Sequence, residues 1–297
     1  MPNNTKKIFN KIIIGTAQFG LNYGVANTLG KAKISNIKKI LKFSKKKNVN
    51  FIDTAQAYGD CEERLGKIGL KGFNVLVKLP VSKPNNDIDT WLKDCVKSSF
   101  TKMKIKKAHT LLVHNTKYLL NKKYSKDYAK TLKSLKKQKK FSNIGVSVYS
   151  LNELKKILKI IKVDTVLMSF NIFDQRVLQK DFCNLKKKHK FKLYTRSTFL
   201  QGLLLMPKKR LPQKFKKWSK LFNKWYVDTK NNKCSSYEIA LNFALNQKII
   251  DKVLIGVESF SQFKKIFYSI KKINFNFIEF KQNKNIKLIN PAKWNSI

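Results

Sequence analysis

The stretch NFIDTAQAYGD, residues 50–60, runs from an apolar, β-prone segment straight into a carboxylate. Phe51 and Ile52 read as part of a buried strand, and nothing in packing such a strand calls for Asp53. Tyr58 follows five residues later, beside Gly59. A strand tip that carries an acid and a tyrosine side by side is a place where a proton is moved.

Outward from this stretch the chain keeps one rhythm. Short β-rich apolar runs alternate with longer, lysine-rich amphipathic segments. The strand candidates are KIIIGTA (11–17), NFIDTA (50–55), FNVLVKLP (73–80), AHTLLVHN (108–115), SNIGVSVY (142–149), DTVLMSFN (164–171), FKLYTRST (191–198) and DKVLIGVE (251–258). Several are nearly continuous apolar runs, as strands covered on both faces should be. Between them ISNIKKILKFSKKKN has apolar residues at three- and four-residue spacing, with Ser35 as a candidate cap. SLNELKKILKIIK repeats the design, with Ser150 as cap and Glu153 in the capping-box position. SSYEIALNFALNQ and SFSQFKKIFYSIKK do likewise. Eight β units, each followed by helix, predict a (β/α)8 TIM barrel, one α/β domain over residues 1–297. A doubly wound nucleotide-binding sheet needs a glycine-rich first turn, and GTAQFG (15–20) is not GxGxxG.

Composition narrows the function. Sixty-four Lys and Arg stand against 17 Asp and Glu, a formal charge of +47. Phosphate-backbone binding is one reading of that charge. Three features favour a lysine-biased genome instead. Only Arg64, Arg176, Arg196 and Arg210 are arginines, the residue that base readers use for bidentate contacts. The lysines are spread along the chain, and Asn, Ile and Phe are abundant too. No specific nucleic-acid partner is therefore expected, although so positive a field draws in anionic ligands. No apolar run reaches the roughly 20 residues of a membrane span. The basic start, MPNNTKKIFNKIIIG, has too short an apolar run for a secretory signal. Cys61, Cys95, Cys183 and Cys234 are scattered, with no CxxC and no histidine pair, so neither a disulfide framework nor a metal site is expected. These features predict a cytoplasmic protein without a membrane partner.

In such a barrel the chemistry sits at the C-terminal ends of the strands. Read in order, those ends give Asp53, with Tyr58 in the loop beyond, then Lys78 and His114. Lys78 is a charge inside the apolar run VLVKLP, and its burial needs a partner, which Asp53 supplies. A lysine ammonium beside Tyr58 would lower the phenol's pKa from its usual value of about 10. His114 would orient a carbonyl oxygen or share the proton. Taken singly, each residue has a structural explanation: Asp53 and Lys78 as an ion pair, Tyr58 as packing, His114 as a core histidine. His109 and His189 have no supporting motif and read as structural.

These residues, in this order and on these strands, resemble the aldo/keto reductase family. The resemblance runs from IIIGTAQFG to VLIGVESFSQFKKI and rests on DTAQAYG followed by the E..LG pattern (Glu63, Leu65, Gly66), then VLVKLP and LLVHN. It implies a catalytic tetrad of Asp53, Tyr58, Lys78 and His114, with Tyr58 as general acid and base. It further implies NADPH, or in some members NADH, lying extended over the barrel mouth, and a small-molecule aldehyde or ketone as substrate. On this likeness Gly15, Thr16 and Gln18 lie beneath the nicotinamide, and Ser147 and Asn171 at the carboxamide side. Arg196, Ser197 and Gly202 meet the pyrophosphate, and Gly256, Glu258, Ser259 and Gln262 hold the adenosine end. Two positions depart from the family: Leu167 replaces a glutamine beneath the carboxamide, and Arg196 replaces a tyrosine stacked on the nicotinamide. No Lys or Arg stands at the usual 2′-phosphate positions, and Glu258 is nearby. The segment GTAQFGLNYGVAN with RSTFLQGLL resembles a bacterial subgroup associated with sugar and surface-polysaccharide metabolism, which implies a sugar-derived carbonyl. The family includes both monomers and oligomers. The rival reading is a non-enzymatic nicotinamide-nucleotide sensor on the same barrel, which the altered nicotinamide contacts favour and the intact tetrad opposes. The aromatic stretch KFKKWSKLFNKWYVD (214–228) reads as an amphipathic helix in preference to an active-site loop, and FNFIEFKQN (275–283) as a segment that packs over the barrel or shapes its pocket.

Overall fold

A computed structural model describes residues 8–82, 84, 87–270 and 282–296. Parallel strands close into a barrel in sequence order: β1 (Ile12–Gly15), β2 (Phe51–Ala55), β3 (Asn74–Lys78), β4 (Ala108–Val113), β5 (Phe141–Val148), β6 (Thr165–Ser169), β7 (Lys192–Arg196) and β8 (Lys252–Gly256). β8 pairs with β1, so no strand edge is left open. Seven of the eight strands form within their expected segments and β5 begins one residue before its own, at Phe141, so the (β/α)8 barrel is the fold.

The outer layer consists of α1 (Ile34–Lys46), α2 (Cys61–Ile68), α3 (Ile88–Met103), α4 (Lys122–Lys137), α5 (Leu151–Leu158), α6 (Lys180–His189), α7 (Ser219–Asn231), α8 (Ser236–Leu245) and α9 (Phe260–Tyr268). Their apolar stripes meet the outward-facing strand residues, such as Ile14, Ile52, Val77, Val113 and Val166, in the main core. α8 opens with a full capping box between Ser235 and Glu238. α5 is capped by Ser150, but the box is not closed: the Glu153 carboxylate accepts from the backbone N–H of Tyr149 instead, at 2.8 Å, and from the Thr116 hydroxyl. Glu153 thereby ties the loop after β4 to the end of β5. Ser35 is not a cap. α1 starts two residues earlier than such a cap would set, Lys33 takes the cap position, and no side-chain bond forms there. The stretch at 214–228 is helical, a 3₁₀ segment Gln213–Trp218 followed by α7, with Phe215, Phe222 and Trp225 buried. Most of FNFIEFKQN lies outside the described residues.

What positions the site is the strand period of two. A second apolar cluster fills the barrel interior: Ile13, Phe51, Leu76, Leu112, Leu167 and Tyr194, with Leu254 packed against it. Gly145 makes room for this layer, because a Cβ there would lie 2.5 Å from Leu112 Cδ2. Two residues further along each strand, the same face reaches the C-terminal mouth. There the sequence supplies Gly15, Asp53, Lys78, His114, Ser169, Arg196 and Gly256. The interior is therefore greasy below and polar above. The register sets Gly15 opposite Asp53 and Gly256, and Ser169 opposite Arg196, and steps by two residues between β2 and β3, where Asp53 lies opposite Leu76 and Lys78 opposite Ala55.

Candidate active site

Lys78 and Asp53 stand side by side at the barrel mouth, on the neighbouring strands β3 and β2, 2% and 0% exposed. Lys78 Nζ donates to Asp53 Oδ1. The same ammonium donates to Tyr58 Oη at 3.2 Å and lies 5.0 Å from the centre of its ring. His114 stands edge-on to Tyr58, ring centres 6.3 Å apart. The four residues drawn together by sequence are thus contiguous at one end of a cavity of about 540 Å³.

Local backbone contacts hold them. Thr16 caps the tip of β2 by donating its hydroxyl to the carbonyl of Asp53 at 2.8 Å and its N–H to the same oxygen at 3.2 Å. The short helical turn Ala17–Gly20 lies directly on the loop that carries Tyr58. A Cβ on Gly20 would stand 1.8 Å from the Tyr58 carbonyl oxygen, so only glycine fits that approach. Gly59 turns the chain with φ +58°. Behind the loop, Cys61 is wholly buried and hydrogen-bonded to Thr16, with its thiol pushed up to about 11, so it is an inert packing group. The E..LG motif points inward through Glu62 and not Glu63: Glu62 is 2% exposed, whereas Glu63 is exposed and pairs with Lys102 at 3.4 Å.

The electrostatics differ from the sequence expectation at one point. Burial raises the Asp53 carboxyl and lowers the Lys78 ammonium, and their mutual attraction opposes both shifts. Tyr58 is raised well above its usual value, by burial first and by Asp53 second. Burial and the Asp53 charge outweigh the stabilisation that the Lys78 hydrogen bond offers a phenolate. Tyr58 therefore keeps its proton. His114 is lowered to about 3 by burial, then by Lys78 and Arg196, and is a neutral imidazole with Nδ1 buried and unpartnered.

The rest of the cavity is built from the loops after β1, β7 and β8 and from the segment at Pro291 and Ala292. Of the other residues singled out by sequence, Gly15, Thr16, Gln18, Ser147, Arg196, Ser197, Gly202, Gly256, Glu258 and Gln262 all line it. Asn171 and Ser259 do not. Asn171 is fully buried and braces the loop after β7, donating to the Ser197 carbonyl at 3.1 Å while accepting from the N–H groups of Phe173 and Asp174. Ser259 caps α9, accepting from the N–H of Gln262 at 3.1 Å. Leu167, at 0% exposure, forms the apolar floor. Arg196 lies flat over the Tyr149 ring at 4.3 Å and donates to Ser169 Oγ at 2.7 Å and to the Val148 carbonyl at 3.3 Å. The loop that follows holds Ser197, Leu200 and Gln201 at φ +65°, +48° and +52°, a run of left-handed non-glycine residues of the kind that collects at binding sites.

Sequence reasoning missed Tyr23, Asn27, Tyr149 and Tyr237, which also line the cavity. Tyr23 belongs to a strap that crosses the mouth: its hydroxyl accepts from Gln201 Nε2 at 3.0 Å, and Asn27 Oδ1 accepts from the N–H groups of Leu29 and Gly30 to turn the chain back. The Gly24 and Asn27 of LNYGVAN mark a turn, but where a turn lands is fixed only by the closed barrel. His109 sits below the inner layer, edge-on to Phe51 at 4.9 Å, and His189 ends α6, as structural residues.

The model of the aldo/keto reductase family matches residues 11–289. The chain belongs to the aldo/keto reductase family. Membership makes it an oxidoreductase fold for carbonyl substrates, and the order Asp53, Tyr58, Lys78, His114 now stands in that setting. Among solved structures the chain is similar to the glycerol dehydrogenase of Gluconobacter oxydans, with 19% identity, TM-score 0.67, and coverage of 90% of this chain and 88% of that one. It is also similar to the holo form of an aldo-keto reductase of Bacillus halodurans, with 18% identity, TM-score 0.66, and coverage of 82% and 84%. At these identities the likeness speaks for the barrel alone. Comparison with curated proteins gave no match. No helix among the described residues is long and apolar enough to cross a membrane, and no group of His, Cys, Asp and Glu among them could hold a metal ion.

Proposed function

We propose that this aldo/keto reductase is an NAD(P)H-dependent reductase of small aldehydes or ketones, with Tyr58 as the proton donor. The observation that carries the reading is the placement of one ammonium, Lys78 Nζ, in contact with both Asp53 and Tyr58 at the bottom of the cavity. The cavity lining fits a nicotinamide nucleotide. Gln18 Oε1 is buried without a partner, an acceptor waiting for an amide N–H, and Gly256 leaves the space beside it open, since a Cβ there would meet Gln18 Oε1 at 2.8 Å. At another wall Glu258 and Gln262 are bonded to each other and can take ribose hydroxyls. A carboxylate at that place opposes a 2′-phosphate, which supports use of NADH beside NADPH.

When bound, the reduced nicotinamide supplies the hydride. The residues of the chain do the rest. Tyr58 and neutral His114 hold the carbonyl oxygen by hydrogen bonds. As negative charge grows on that oxygen, Tyr58 passes its proton to it. Lys78 Nζ, already bonded to Tyr58 Oη, stabilises the phenolate left behind, and Asp53 keeps the ammonium in place and charged. The buried, proton-retaining phenol suits this direction, because an acid must arrive protonated. Around the mouth, the Tyr23, Tyr149, Asn27, Thr28 and Thr198 side chains present hydroxyl and amide groups, which supports a polyhydroxylated, sugar-derived carbonyl as substrate.

Steady-state turnover of NADH and NADPH with a panel of aldehydes tests the reading. Tyr58→Phe should lower kcat by about 10²-fold or more, the scale of general acid catalysis, while leaving nucleotide affinity within about twofold. A variant that turns over as fast as the wild type removes Tyr58 from the mechanism. Nucleotide binding without turnover by the wild-type protein would favour the sensor.

A further inference from the structure

Asp53, Lys78 and Arg196 are the charged groups around the tetrad. The first two are bonded to each other, so their charges cancel. Tyr58 keeps its proton and His114 is neutral. Arg196 is different. Among the described residues Arg64 is paired with Asp60, Arg176 with Asp174 and Arg210 is exposed, whereas the half-buried Arg196 has no carboxylate within ion-pair distance. Its partners are neutral: the Ser169 hydroxyl, the Val148 carbonyl and the face of Tyr149. Those three contacts hold it in place at the inner end of the cavity. The inner end of the cavity therefore carries one uncompensated positive charge, partly shielded from water. Its field reaches the reacting groups, since it pulls down both Tyr58 and His114.

We infer that Arg196 sets the redox bias of the site by weakening the oxidised, cationic nicotinamide against the reduced, neutral one. The inference rests on the proposed cofactor. In the reaction a hydride, one proton with two electrons, leaves the nicotinamide for the carbonyl carbon, and Tyr58 gives its proton to the oxygen. The carbonyl is reduced to an alcohol, and the ring is oxidised and gains a positive charge. Hydride transfer requires the reacting atoms within about 3–3.5 Å, so the ring that becomes cationic must sit in the same end of the cavity as Tyr58. There a fixed guanidinium repels it in a medium of low effective dielectric. The reduced ring feels no such repulsion. Arg196 also lowers the pKa of Tyr58, which favours proton donation. The charge favours cofactor exchange, since the reduced form is taken up and the oxidised one expelled, while it makes the bound reduced ring a weaker hydride donor, because the ring becomes cationic beside the guanidinium.

The test is equilibrium binding, read by quenching of protein fluorescence, with NADH, NAD+, NADPH and NADP+, and with ADP-ribose as the nicotinamide-free reference. The wild type should bind the reduced forms at least about tenfold more tightly than the oxidised ones, a difference of about 1.4 kcal/mol. Arg196→Met should reduce that ratio about tenfold, chiefly by tightening NAD+ or NADP+, with ADP-ribose unchanged. Arg196→Lys should keep most of the ratio, because the charge and not the plane creates it. If the methionine variant does not fold, Arg196→Gln carries the same expectation and keeps a donor for Ser169. An unchanged ratio in a folded, uncharged variant overturns the inference. An equal loss of affinity for every nucleotide, ADP-ribose included, also overturns it and makes Arg196 a phosphate contact. Failure of the wild type to bind any of the five removes the cofactor reading itself, and the inference with it.

Discussion

Tyr58 and His114 show how burial and pairing divide the chemistry among single residues. Tyr58 lies against an ammonium and yet holds its proton more firmly than a free phenol, because burial penalises the phenolate and the Asp53 charge repels it. His114 is pushed the other way, to about 3, so it remains a neutral hydrogen-bonding group throughout the physiological range. The second shift has a consequence for stability. An unfolded histidine takes up a proton below about 6.5, whereas His114 in the folded chain does not until about 3. Between those values the unfolded state binds the extra proton, so His114 contributes stability that is complete above the upper value and is lost as pH falls toward the lower one. His114→Asn should flatten the fall of Tm across that window relative to the wild type. Parallel Tm curves for the two proteins would mean that His114 is not held neutral in the folded state. At this scale the sequence was most informative for the tetrad, whose four residues stand at strand ends or one loop away. It was least informative for Asn171 and Ser259. Both are polar residues beside a binding loop, and only the fold reveals that one braces that loop and the other caps a helix.

Among the elements, the turn Ala17–Gly20 and the loop after β2 form one unit. Gly20 touches the Tyr58 carbonyl, and Thr16 holds the carbonyl of Asp53, so the catalytic candidates on β2 and in the loop after it are positioned by the turn that follows β1. Gly20→Ala must displace the loop, since its Cβ would fall at 1.8 Å from that oxygen. We expect at least about a tenfold loss of kcat from misplaced Tyr58, the scale that a 1 Å error produces, with cofactor affinity changed less. Unaltered turnover in a folded Gly20→Ala would show that Tyr58 is not located by this contact. The strands themselves were legible because near-continuous apolar runs bounded by polar tips leave little choice of element. The strap that carries Tyr23 and Asn27 was not, because its landing point at Gln201 depends on closure of the barrel, which brings the end of β7 within one strand of β1, a relation with no local signal.

For the whole molecule, closure of the barrel converts a sequence-distant list into a ring. Gly15, Asp53, Lys78, His114 and Arg196 come from five strands and meet because each stands two residues beyond the inner apolar layer. The charge of +47 acts on the same scale. Its lysines are spread over the surface, and a field of that sign raises the local concentration of any anionic ligand, a dinucleotide included. Nucleotide affinity should therefore fall as salt rises and the screening length shortens from about 10 Å at 0.1 M to about 3 Å at 1 M. A flat salt profile would mean that local contacts alone hold the ligand.

The central claim is that hydride reaches a carbonyl carbon in a site whose proton comes from Tyr58. Its most direct test incubates the purified protein with a carbonyl substrate and a reduced nicotinamide carrying deuterium at the transferable position, and then locates the label in the product. Deuterium is expected on the carbinol carbon with the wild type, and little or none with Tyr58→Phe over the same time. Equal labelling by both proteins, or an alcohol formed without label, would contradict it.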